Sequence, residues 1–91
     1  MQNRANKSTN ENADYFLDIT AEACPLTFVR TKLLIETMTR GSTAEVRLQG
    51  AEPLHNVPRA VRAQGLLILD CAPEEPDAGP NSVHRLRIRK P

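Results

Sequence analysis

From Tyr15 onward the chain switches between a two-residue and a near-four-residue hydrophobic period, and that alternation over so short a span limits what it can fold into. "YFLDI" is dense in strand formers, with Tyr15, Phe16, Leu17 and Ile19, and "TAEA" turns the chain away, leaving Asp18 at the strand's end. From Pro25 the period lengthens. Phe28, Thr31, Ile35 and Met38 recur at spacings of three and four and predict the buried face of a helix, with Pro25 in its first turn and Gly41 beyond its end. "AEVRLQ" alternates, placing Ala44, Val46 and Leu48 on one face, and "GAEP" breaks it. A second helix is expected from about Asn56 to Gln64, with Asn56 as N-cap, Pro58 in the first turn and Gly65 as terminator. "LLILDCA" is the continuous apolar run of a central strand, and residues 73–82 form a polar hairpin loop before "VHRLRIR", where Leu86 and Ile88 point inward and the arginines outward.

The order strand, helix, strand, helix, strand, strand predicts an α+β fold: a two-layer α/β sandwich with a four-stranded mixed sheet and two helices on one face. Residues 14–91 make one domain. Residues 1–13 are polar, Asn-rich and without periodicity, and are expected to be a disordered tail because they cannot offset ordering entropy by burying apolar surface.

With 91 residues there is room for one small core, and with one Tyr, two Phe and no Trp that core must be aliphatic. Few aromatics also means no platform for stacking bases. Twelve Lys and Arg against 11 Asp and Glu give a net charge of +1, too balanced to attract a phosphate backbone at long range, so no direct nucleic-acid partner is expected. "EEPD" and "HRLRIRK" are short enough to be solvated charged patches. No apolar run approaches the roughly 20 residues of a membrane span and the N-terminus has no apolar signal core, which points to the cytoplasm. His55 and His84 stand apart from each other and from any carboxylate cluster, so no metal site and no cofactor is expected.

The two cysteines differ in setting. Cys24 precedes Pro25 at a helix start; with the helix beginning at Pro25 it would occupy the N-cap, where unpaired N–H groups and the positive end of the dipole favour a thiolate. Arg30 and Lys32, further along, add positive potential, and Glu22 opposes them. The alternative is a small core residue at a strand-to-helix junction. Cys71, embedded in "LLILDCA", is expected to be buried and structural. No His or Asn is placed beside Cys24 to complete a triad, and a nucleophile without a pocket suggests a carrier whose partner proteins supply the remaining chemistry.

Leu17, Asp18, Cys24, Pro25 and Lys32 in "LDITAEACPLTFVRTKLL", with Gly41 beyond the first helix, resemble in order and spacing the TusA/SirA-like sulfur carriers, and the similarity extends over about residues 15–90. The resemblance implies a two-layer sandwich whose Cys24 carries sulfane sulfur as a persulfide, taken from a protein donor such as a cysteine desulfurase or rhodanese and passed to a protein acceptor. It also implies site-shaping roles for Asp18, Pro25, Arg30 and Lys32. The chain departs from the family pattern at Ala21, where a Gly is usual, at Thr27, where a second Pro is usual, and at Gln49, Gly50 and Asn56, where acidic residues are common.

A competing reading is a regulatory or interaction module of the same fold with Cys24 inert or a redox sensor. A further one is RNA binding through Arg85, Arg87 and Arg89, set against the use of alternating arginines to protect a sheet edge. If Phe28, Thr31, Ile35 and Met38 face the sheet, Leu26, Val29 and Leu33 fall on the opposite side of the helix as a candidate docking stripe. The protein is expected to be a monomer or weak homodimer.

Overall fold

The computed structural model describes residues 13–23, 25–79 and 81–91. Residues 1–12, which hold most of the expected tail, and Cys24 lie outside the described residues. The elements are β1 (Tyr15–Asp18), α1 (Leu26–Thr37), β2 (Thr43–Gln49), α2 (Ala51–Ala63), β3 (Leu67–Pro73) and β4 (Val83–Arg89), and the strands form one sheet in the order β1-β2-β4-β3. β1 runs parallel to β2; β4 is antiparallel to both β2 and β3. This is the expected α+β sandwich.

Strand alternation builds the core. Ala44, Val46 and Leu48 of β2 and Leu86 and Ile88 of β4 are all at 0% exposure. They pair as Val46 with Leu86 and Ala44 with Ile88, an aliphatic floor beneath the helices. Onto it pack Ile35 from α1 and Met38 at its C-cap, Val57 and Val61 from α2, and the flanking Ile19 and Leu66. Such burial contributes about 1.5–3 kcal/mol per side chain of this size.

The helices differ from the sequence reading in three ways. α1 buries Thr27 with Thr31, Ile35 and Met38, whereas Phe28 is 42% exposed. Thr27 lies inward because it stands one helical turn before Thr31, and the Thr31 hydroxyl donates back to its carbonyl, 2.7 Å away, so Thr31 lies inside without an unpaired hydroxyl. The N-cap of α1 is Pro25 and not Cys24: Pro25 has ψ 7°, and the Val29 N–H reaches its carbonyl at 3.0 Å. α2 starts at Ala51, not Asn56, behind an N-cap at Gly50 whose φ of 109° suits glycine. "GAEP" therefore opens a helix. Pro53 falls within the first turn, where its missing N–H would have no helical partner, and only Pro58 forfeits an interior bond.

The sheet differs at β3. It is the outer strand, not a central one, because β4 inserts between β2 and β3. A register shift between Ile68 and Asp70 loosens it further; Ile68 packs on the core while Leu67 and Leu69 are about half exposed. Cys71, expected to be buried, is exposed. The arginine-bearing β4 is correspondingly interior to the sheet, so its charges do not guard an edge.

Candidate functional site

Because β1 and β2 are parallel and β4 is antiparallel to β2, one end of the sheet gathers the β1–α1 loop, the N-termini of both helices and the β3–β4 hairpin. The loop, residues 19–25, carries Cys24 in sequence between Ala23 and Pro25, both exposed. Its described residues are held at several points. The Ile19 side chain is buried and its N–H donates to the Arg47 carbonyl at 2.9 Å. Asp18 Oδ1 accepts from the Thr20 N–H at 3.0 Å and from its hydroxyl at 2.7 Å, a side-chain turn that reverses the backbone directly after β1. The Glu22 N–H reaches the Ile19 carbonyl at 3.1 Å, and the Leu26 N–H the Ala23 carbonyl at 2.8 Å.

Beneath the loop lies a chain of charges on the sheet face opposite the helices. Arg47 Nη1 meets Asp18 Oδ2 at 2.7 Å, while its Nε and Nη2 grip the Glu74 carboxylate at 2.8 and 3.0 Å. Arg85 approaches the same Glu74 at 2.8 Å and lies 3.5 Å from Glu45 Oε2. Glu45 is 4% exposed, and that oxygen has no hydrogen bond. The Arg47 and Arg85 hydrogen bonds outweigh partial burial and push the Glu74 carboxyl down to about 2. At Asp18, partial burial opposes ionisation, but the Thr20 hydrogen bonds and Arg47 prevail and hold the carboxyl below its ordinary value. The Glu74 hydrogen bond in turn raises Arg47.

The N-terminus of α1 lacks an acidic residue in its first turn. Pro25 makes no side-chain cap bond, so the positive end of the helix is not neutralised from within. The outer surface of α1 carries an apolar stripe among its charged residues: Leu26, Val29 and Leu33 are 51%, 43% and 57% exposed, as the helical phase requires, and Phe28 joins them.

Among the sequence-predicted residues, Asp18 and Pro25 flank the loop. Arg30 instead pairs with Glu22 at 2.9 Å, which largely cancels its contribution to local potential, and Lys32 is exposed on α1. Cys71 stands on β3, where partial burial and the nearby Asp70 carboxylate push its thiol up. Arg47 and Glu74 escaped the sequence reading. Their signal was present: Arg47 occupies the outward register of a strand whose inward register is aliphatic, and an outward Arg beside an acidic hairpin invites a cross-strand pair.

A family model described as "Sulfurtransferase TusA" matches residues 15–90. A protein of Archaeoglobus fulgidus described as a "putative sulfur carrier protein" is 38% identical over 69 residues, covering 76% of this chain and 77% of that one.

Proposed function

Because the chain belongs to the sulfurtransferase TusA family, we propose that it is a sulfur carrier in which the Cys24 thiol accepts sulfane sulfur as a persulfide from a protein donor and relays it to a protein acceptor. The observation that carries this reading is the setting of Cys24 in the chain, between exposed Ala23 and exposed Pro25 and one residue ahead of a helix N-cap, Pro25, that makes no side-chain cap bond. Positive potential at such an end favours thiolate, which serves both as nucleophile and as leaving group.

In loading, the Cys24 thiolate attacks the terminal sulfur of the donor's persulfide; the donor's S–S bond breaks and its cysteine departs as thiolate. In delivery an acceptor thiolate attacks the sulfur carried on Cys24, whose own sulfur leaves as thiolate. One S–S bond forms as another breaks, so no external oxidant is needed. Asp18 shapes the loop, Pro25 fixes its junction with α1, and Lys32, more than the paired Arg30, adds positive charge nearby. Leu26, Val29 and Leu33, extended by Phe28, are the surface on which a donor such as a cysteine desulfurase or rhodanese docks. Incubation with a cysteine desulfurase and cysteine tests the reading: the intact mass should rise by one sulfur, about 32 Da, and that sulfur should be released by cyanide. A protein that stays unmodified and releases no sulfur would refute it.

A further inference from the structure

Arg47 directs all three of its guanidinium nitrogens to carboxylates on two different segments: Nη1 to Asp18, at the root of the loop, and Nε and Nη2 to Glu74, at the root of the hairpin. Asp18 spends its other oxygen on the N–H and hydroxyl of Thr20. One oxygen of Asp18 therefore holds the loop and the other is held by Arg47. Glu74 is fixed in turn by Arg85 from β4, so the guanidinium is clamped in place on the sheet.

From this connection we infer that Arg47, clamped by Glu74, is a positioning residue for the loop that bears the sulfur-accepting thiol. The inference rests on Cys24 being that thiol. Arg47 reacts with nothing; it acts through Asp18 and Thr20 on the backbone of residues 19–23. A planar fork is required, since an ammonium can hold one carboxylate but cannot grip Glu74 with two parallel bonds while reaching Asp18. The linkage also makes the hairpin a partner of the loop: a change at Glu74 should reach residues 19–23 through Arg47.

The test uses full-length protein carrying Cys71→Ser, so that Cys24 is the only thiol. Backbone hydrogen exchange of residues 19–23 and the pH profile of alkylation are measured for Arg47→Gln, Arg47→Lys and Glu74→Gln, with Arg89→Gln, at the opposite end of the same sheet face, as control. Arg47→Gln should accelerate exchange by about tenfold and move the alkylation midpoint toward the ordinary thiol value of about 8.5. Arg47→Lys should recover part of both effects, Glu74→Gln should reproduce them more weakly, and Arg89→Gln should leave both unchanged. A folded Arg47→Gln protein with wild-type exchange and alkylation overturns the inference; should that variant not fold, the same result in Glu74→Gln does so. Failure of the wild type to take up sulfur while these variants respond as expected would refute the carrier reading and leave Arg47 as a loop-positioning residue.

Discussion

Lys90 Nζ donates to the carbonyl of Ile35 at 2.8 Å and to that of Met38 at 3.0 Å, so a residue just beyond the last strand closes the C-terminal end of α1. α1 has no basic residue of its own in its last turn. The cation therefore comes from β4's end, opposite the thiol-bearing loop, and ties helix to sheet where orphan carbonyls and the negative end of the dipole favour it. Lys90→Met, which keeps the apolar stem, should cost about 1–2 kcal/mol. In a domain of this size that lowers Tm by several degrees, at about 4–8 °C per kcal/mol. An unchanged Tm would show that the contact contributes nothing.

Acid stability should depend on Glu74. Its folded pKa of about 2 lies below the ordinary 4.5, so the unfolded chain binds the proton first as pH falls. The stabilisation is present above about pH 4.5 and is lost as pH drops toward 2; Asp18 acts in the same direction. Allowing for solvent screening of a partly exposed pair, the loss is on the order of 1 kcal/mol. Urea unfolding between pH 6 and 2.5 should show it, and Glu74→Gln should flatten the dependence. An equally steep fall in the variant would assign acid sensitivity to other groups.

Selectivity between the two thiols should come from chemistry and not from access. Cys71 is exposed, yet partial burial and Asp70 raise its pKa and keep it protonated at neutral pH. In Cys24→Ser the remaining thiol should alkylate slowly at pH 7, with a midpoint above the ordinary range. Rapid alkylation at neutral pH would make Cys71 a competent sulfur acceptor.

The outer face of α1 should be dispensable for folding and required for transfer. Val29 and Leu33 are 43% and 57% exposed, so Val29→Asp with Leu33→Asp should change stability by under about 1 kcal/mol. The double variant should keep its circular dichroism and lose sulfur uptake from a protein donor. Unfolding would show these side chains to be core.

What could be read from the sequence was the part written locally. The alternation in β2 and β4 identified five fully buried side chains, Ala44, Val46, Leu48, Leu86 and Ile88, because a strand with one buried face must repeat every two residues. β3 misled because an apolar run records composition, whereas strand order depends on which distant segment it pairs with; β4 took the interior place, its Arg85 set against carboxylates of β2 and the hairpin. On α1, bulk favoured Phe28, but Thr27 stands four residues before Thr31, on the same helix face, and its carbonyl accepts the Thr31 hydroxyl. The start of α2 was missed because Pro53 looked like a breaker where the first turn makes it harmless. At the site, Asp18 and Pro25 could be found in the chain as written. For Arg47 and Glu74 the sequence held only the outward register and the acidic hairpin; their meeting with Asp18 exists only once β1, β2 and the hairpin share one end of the sheet.

The central claim, that Cys24 carries the sulfur, is tested most directly by loading three proteins side by side with a cysteine desulfurase and cysteine, then mapping the added mass to peptides. Wild type and Cys71→Ser should each gain one sulfur, about 32 Da, on the peptide containing Cys24, and Cys24→Ser should gain none. Sulfur added to Cys24→Ser, or wild-type sulfur mapped to Cys71, would contradict the account.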